Sequence, residues 1–130
     1  MKKEVIYFDA CAFGPNVQCI MINGYLESCF IRMDDETLDG RKKIKLDESK
    51  ILHFWKRIDE LNVWNWKKRY DDEMAMTDGF TWEVKLRNRD GKSKYSSGYE
   101  QFPKTFKKFV DELNKLFETK INLWVNYSRI

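Results

Sequence analysis

The chain has 130 residues, a formal net charge of +3 and a high aromatic content of nine Phe, six Tyr and five Trp. Hydrophobic residues make up 42% and charged residues 35%, a balance that excludes disordered, collagen-like and disulfide-scaffold proteins. This length predicts a single domain, 1–130, with an ordinary hydrophobic core. No apolar run approaches the ~20 residues that a membrane-spanning helix needs.

The chain starts with a short predicted strand. Its apolar run, Val5 to Phe8, ends at Asp9 and is shorter than the apolar region of about 7–15 residues in a signal peptide. The chain also has an odd number of cysteines, three, as expected in a reducing compartment. These features predict a cytoplasmic protein.

A hairpin follows, because two strand-like runs, Gln18 to Ile22 and Tyr25 to Met33, flank the turn pair Asn23-Gly24. Both faces of this hairpin are partly apolar, which favours a central position in a sheet. With a two-residue turn, Cys19 and Cys29 point to opposite faces, so we expect no disulfide between them.

The first helix is predicted from about Glu48 to Leu61, with Asp47 or Ser49 accepting a hydrogen bond from the free amides at its start. Its apolar residues recur at helical spacing: Ile51, Trp55, Ile58 and Leu61. The pattern breaks over Val63 to Tyr70, and a polar loop extends to Gly79.

The second half predicts another hairpin and a second helix. Residues 80–87 alternate between apolar and polar, residues 88–91 form a turn, and the chain returns over Lys92 to Tyr99. Pro103 suits the first turn of a helix with an aromatic stripe, and Ile121 to Tyr127 alternates like a last strand. The predicted fold is therefore α+β, an antiparallel sheet of about five to six strands with two helices packed on one face.

The sequence contains no catalytic or metal-binding motif that we can identify. His53, the single histidine, lies within the predicted amphipathic helix, which favours a partly buried or rim position over catalysis. An EF-hand-like loop starting at Asp35 fails because Leu46 occupies the position of the bidentate glutamate. We therefore expect no enzyme activity, metal or cofactor.

Two basic segments, 41–57 and 85–108, suggest nucleic-acid binding as one function. The run Trp64 to Tyr70 also mixes aromatic and basic residues that could stack on bases and contact phosphates. However, the acidic run Asp71 to Glu73 follows at once and weakens the local positive field.

Protein binding is the other candidate, because aromatic residues beside charged ones are typical of interface hot spots. Trp64, Trp66, Tyr95 and Tyr99 are not assigned to a buried stripe, although a core position remains the alternative for each. The predicted binding residues are Trp64, Trp66, Tyr70, Asp71, Asp72 and Asp78.

One part of the chain has a recognisable pattern over residues 64–117. Asp78-Gly79-x-x-Trp82 precedes Gly98, Phe102-Pro103 and an aromatic-rich helix. This pattern resembles a family of small uncharacterised bacterial proteins, in which a D-G-x-x-W strand precedes a G-S-N-A-[YF]-P segment. This chain has Tyr99-Glu100-Gln101 where that family usually has Ser-Asn-Ala. The resemblance implies no established activity.

The sequence thus predicts a non-catalytic cytoplasmic protein-binding domain. An immunity protein that neutralises a bacterial toxin by direct docking is the leading specific hypothesis, by analogy with other small α+β proteins. The alternative is a nucleic-acid-binding module that uses segments 41–57 and 85–108. We expect no membrane partner.

Overall fold

A computed structural model describes residues 4–11, 15–32, 41–71 and 80–120. The described part contains seven strands, two α-helices and one 3₁₀ helix. In chain order these are β1 (Val5–Cys11), β2 (Pro15–Ile22), β3 (Tyr25–Arg32), β4 (Lys42–Lys45), α1 (Glu48–Glu60), the 3₁₀ helix (Val63–Asn65), β5 (Arg69–Asp71), β6 (Thr81–Arg87), β7 (Ser93–Tyr99) and α2 (Phe106–Phe117).

The strands form one mixed sheet in the order β4-β3-β2-β1-β6-β7-β5. Every pair is antiparallel except β5 with β7, which run parallel. The α+β class is confirmed, and the predicted count of five to six antiparallel strands is corrected to seven strands in a mixed sheet. Both hairpins form as predicted, and β2 and β3 each have a strand on either side.

Two short edge strands account for part of the difference in strand count. β4 has the sequence Lys-Lys-Ile-Lys and β5 has Arg-Tyr-Asp, so neither is long enough to display a strand period. They form because the neighbouring strands offer backbone partners: Tyr25 pairs with Lys45, and Arg69 pairs with Ser97. The predicted strand from Ile121 to Tyr127 lies outside the described residues.

The core lies between one face of the sheet and the two helices. Phe8 of β1 packs against Phe106 and Phe109 of α2, with ring centroids 6.1 and 6.0 Å apart. Phe54 of α1 approaches Phe109 at 6.4 Å, and Trp82 of β6 approaches Phe106 at 4.8 Å. Both helices therefore cover the same face of the sheet, as predicted.

The helix starts differ in how well the sequence predicts them. Asp47 caps α1 by accepting hydrogen bonds from the backbone amides of Ser49 and Lys50, at 2.9 and 3.2 Å. α2 begins at Phe106, so Pro103 lies before the helix and not in its first turn; its carbonyl accepts a hydrogen bond from the Phe106 amide.

The strand register separates two of the cysteines. Cys19 pairs with Ser28 and Cys29 pairs with Gln18, so the two thiols lie on opposite faces and are free, as predicted.

Among the described residues, neither helix is long and apolar enough to cross a membrane.

Candidate functional site: the open face of the sheet

The face of the sheet opposite the helices is not covered by any described helix or strand. Outward-facing side chains of β1 and β6 are half-buried or exposed, while their inward-facing neighbours are fully buried. A single helix layer on one face explains this alternation, because the other face has nothing to pack against. We call this surface the open face.

Strand register places a hydrophobic cluster at one end of the open face. Tyr7 of β1 lies opposite Ile20 of β2 and Lys85 of β6, and Lys85 lies opposite Tyr95 of β7. The neighbouring row has Ile22 of β2 opposite Tyr25 of β3. We call these two rows the tyrosine patch; its members are Val5, Tyr7, Ile20, Ile22, Tyr25, Glu27, Lys43, Lys45, Lys85, Arg87 and Tyr95.

The tyrosine patch concentrates exposed hydrophobic surface. Four large hydrophobic side chains in the described part of the chain are exposed: Ile22 at 38%, Tyr25 at 42%, Tyr95 at 39% and Leu52 at 50%. The first three lie in the patch, and Leu52 lies on α1. Exposed hydrophobic groups that cluster on one surface are typical of an interaction site, whereas single ones are ordinary.

Lysine ammonium groups lie over the tyrosine rings of the patch. Lys85 Nζ lies 5.2 Å from the ring centroid of Tyr7 and 6.0 Å from that of Tyr95. Lys43 Nζ lies 4.8 Å from the ring centroid of Tyr25. These cation–π contacts, worth about 0.5–1 kcal/mol each when exposed, favour this arrangement of the rings and the charges.

The tyrosine hydroxyl groups are held as hydrogen-bond donors. Tyr95 donates to Glu83 Oε2 at 2.8 Å, and this hydrogen bond to a carboxylate raises the pKa of the Tyr95 phenol. Tyr7 donates to Asp9 Oδ2 at 3.2 Å, and burial is the main cause that raises the pKa of Tyr7. Both phenols therefore stay neutral at physiological pH.

A depression of about 480 Å³ lies at the β2–β3–β4 end of the sheet and is lined in part by members of the patch. Ile20 and Ile22 line it on one side, and Arg41 and Lys43 line it on another, near Glu27. A pocket with an aliphatic wall and a basic wall suits a side chain that combines a hydrocarbon stem with a carboxylate.

Trp64 and Trp66, two of the predicted binding residues, lie in the core and not in the tyrosine patch. Trp64 and Trp66 are only 8% and 6% exposed. Trp64 Nε1 donates to Asp59 Oδ1 at 2.6 Å, and Trp66 Nε1 donates to Thr105 Oγ1 at 3.1 Å. Both residues therefore occupy the core position that the sequence left open as the alternative. Their indoles close the core after α1, and their N–H groups have internal partners.

The other predicted binding residues are not brought together in the described structure. Tyr70 is half-buried, and its ring packs against Trp82 at a centroid distance of 5.8 Å. Asp71 ends β5, opposite Tyr99 of β7. Asp72 and Asp78 lie outside the described residues.

Comparison with known protein families found a match over most of the chain. The family described as a domain of unknown function, DUF6438, matches residues 20–117, most of the chain. The chain belongs to the DUF6438 family. The resemblance to an uncharacterised family is therefore confirmed. Neither a search of curated proteins nor a search of solved structures found a match.

In this DUF6438 domain the two basic segments share a surface only in part: each contributes two cations to the tyrosine patch, and other cations lie on the helices. Lys43 and Lys85 lie on the open face, separated by β3, β2 and β1. Lys56 lies on α1 and Lys107 lies on α2, on the helical side of the protein. The charge of segments 41–57 and 85–108 is thus divided between opposite sides.

Sequence reasoning missed the tyrosine patch of the DUF6438 domain, although a signal for it exists. The first hairpin is partly apolar on both faces, a property that also fits a central strand position. The structure confirms that position, but Ile20, Ile22 and Tyr25 point away from the helices. A second apolar face opposite the core is therefore the feature that could have indicated a binding surface.

Proposed function

We propose that this DUF6438 domain is a non-catalytic protein-binding domain whose tyrosine patch docks onto a partner protein. The observation that carries the proposal is the clustering of Ile22, Tyr25 and Tyr95, three exposed hydrophobic side chains, on the uncovered face of the sheet. Tyrosine is enriched at interface hot spots because its ring buries much area while its hydroxyl remains hydrogen-bonded.

The charge of the patch supports a partner with an acidic surface. Four cations, Lys43, Lys45, Lys85 and Arg87, accompany one carboxylate, Glu27, in the two rows of the patch. Complementary charge accelerates association and excludes partners of the same sign. The same excess of positive charge opposes pairing between two copies of the patch.

Toxin neutralisation is the specific form of this proposal. A small cytoplasmic bacterial domain that docks over the active site of a toxin needs no catalytic groups of its own. The positive patch suits a toxin whose contacted surface is acidic. Inhibitors of basic toxin nucleases tend instead to be acidic, so such nucleases are a poorer fit.

Nucleic-acid binding is the second candidate, supported by cations beside tyrosines on an open sheet face. Base stacking requires accessible ring faces, yet Lys85 lies over Tyr7 and Tyr95, and Lys43 lies over Tyr25. A base would have to displace these ammonium groups. This displacement costs about 0.5–1 kcal/mol per contact and so reduces the net gain from stacking a base.

The test compares tagged wild-type protein with two patch variants, Ile22→Ala and Tyr95→Ala, and with the control Leu52→Ala. Leu52 is an exposed hydrophobic residue outside the patch. Pull-downs at low and high salt are read by mass spectrometry and by ultraviolet absorbance, and the affinity for the captured protein is then measured by calorimetry.

We expect one stoichiometric protein whose affinity falls by about tenfold or more in each patch variant and stays unchanged in the control. A captured protein that binds all variants equally would refute the role of the patch. Captured nucleic acid, with an affinity that falls steeply as salt rises, would favour the second candidate.

A further inference from the structure

A separate cavity of about 280 Å³ lies between α1 and α2, on the helical side of the protein. Phe54 and Leu116 provide its apolar lining. Its polar lining comes from both helices and consists of Ser49, Lys50, His53, Glu112 and Lys115. This composition, apolar with a few convergent polar groups, is typical of a small-molecule site.

Glu112 is the unusual residue of this cavity, because its carboxylate is buried, with only 4% of the side chain exposed. Its Oε2 accepts hydrogen bonds from Arg57 Nε at 3.2 Å and from Lys115 Nζ at 3.3 Å. Its Oε1 is buried and has no hydrogen-bond partner within the described part of the chain.

The unpartnered oxygen lies on the His53 side of the carboxylate, with His53 Nε2 at 3.7 Å, beyond hydrogen-bond distance. The His53 side chain is 58% exposed, so it can move without disturbing the core. A buried acceptor without a donor is costly, and most such atoms in folded proteins are satisfied. Glu112 Oε1 is therefore ready to accept a hydrogen bond from a bound molecule.

The surrounding charges narrow the chemistry of that molecule. Glu112 Oε1 calls for an N–H donor, best a protonated amine, because a charged donor makes the stronger hydrogen bond to a carboxylate. Lys50 and Lys115 supply positive charge at the rim for an anionic group, in exchange for their present carboxylate partners. Lys50 Nζ pairs with Glu118 Oε2 at 3.2 Å, and Lys115 Nζ pairs with Glu112 Oε2 at 3.3 Å. Phe54 and Leu116 line the cavity beside these charged groups, which suits an apolar side chain.

We propose that the cavity between α1 and α2 binds a small zwitterion that carries an amine, a carboxylate and an apolar side chain, the chemical class of an aliphatic α-amino acid. The amine contacts Glu112 Oε1 after His53 moves aside, and the carboxylate lies between Lys50 and Lys115. This site is independent of the tyrosine patch, which lies on the other side of the sheet.

The experiment titrates the full chain, labelled with ¹⁵N, with L-leucine and follows the backbone amides of α1 and α2 by NMR. Two matched compounds each lack one charged group: the leucine methyl ester has no carboxylate, and 4-methylpentanoate has no amine. We expect saturable shifts confined to the cavity with L-leucine, and binding at least about tenfold weaker with either matched compound.

Two variants test the residues. Glu112→Gln removes the charged acceptor. Lys50→Ala removes a cation at the rim, and because the Lys50 side chain is partly exposed, this substitution should disturb folding less than the one at buried Glu112. Each substitution should weaken L-leucine binding several-fold or more. The control is Lys104→Ala, at an exposed lysine that precedes α2, and it should leave the affinity unchanged. The proposal is overturned if L-leucine causes no shifts, if 4-methylpentanoate binds equally well, or if Lys50→Ala leaves the affinity unchanged.

Discussion

Gly98→Ala tests the packing between β7 and the core, because Gly98 leaves room for the indole of Trp82. A Cβ atom at position 98 would lie 2.3 Å from Trp82 Nε1 and 2.7 Å from the backbone oxygen of Gln101. Trp82 Nε1 also donates a hydrogen bond to that same oxygen at 2.9 Å. The added methyl group therefore forces the indole or the backbone to move and disrupts this hydrogen bond.

The loss of unfolding free energy in Gly98→Ala has two contributions. Overpacking a tightly packed core costs about 1–3 kcal/mol. Leaving the buried indole N–H of Trp82 without its acceptor adds about 1–3 kcal/mol. Because Trp82 is 3% exposed, water cannot readily replace the lost partner. We expect Gly98→Ala to lower the free energy of unfolding by about 2–6 kcal/mol.

Urea unfolding followed by tryptophan fluorescence measures this free energy, with Ser93→Ala as the control. Ser93 lies on the same strand as Gly98 but is exposed, so its substitution should change the stability by less than about 0.5 kcal/mol. A loss below about 1 kcal/mol for Gly98→Ala would contradict the close packing of Trp82 on the glycine.

Three further predictions concern the core, the first helix and the thiols. Phe109→Ala should cost about 3–5 kcal/mol in the same unfolding assay, since its fully buried ring contacts aromatic rings from the sheet and α1. Asp47→Ala should lower the melting temperature through loss of the α1 cap. Hydrogen bonds from the start of α1 lower the pKa of Asp47, so this stability difference is present at neutral pH and should shrink as the pH falls through the lowered pKa in acid. A difference that persists in strong acid would contradict the charged cap. Burial raises the pKa of Cys19 to about 12, so a thiol reagent should label Cys11 and Cys29 in the native protein and Cys19 only after unfolding. Fast native labelling of Cys19 would argue against its burial.

Local sequence patterns predict much of this fold. Asn23-Gly24 determines the first hairpin and its register, down to the pairing of Cys19 with Ser28. α1 is bounded correctly because a capping aspartate precedes a clear helical stripe. The parallel pairing of β5 with β7 cannot be predicted from local sequence. It depends on the path of the chain after the 3₁₀ helix, and β5, with three residues, is too short to show a strand pattern.

The candidate site was less predictable for a related reason. A tryptophan in an irregular segment has no period that reveals its burial. Trp64 stacks on Trp55 of α1, and Trp66 packs against Phe109 of α2, contacts that form only once the chain is folded. The tyrosine patch arises from register across strands, which brings Tyr7, Lys85 and Tyr95 together from separate parts of the sequence. The alternation within a strand shows which residues share a face, but it does not show which residues of other strands lie beside them.

The central position of β1 has a consequence for how the protein is made. β1 is the first strand in the chain, yet one of its edges pairs with β6, where Cys11 meets Thr81. During synthesis that edge stays unpaired until the second half of the chain has left the ribosome. Unpaired edges of apolar strands promote aggregation, and such long-range pairing slows folding. Chains truncated before β6 should therefore accumulate as insoluble material.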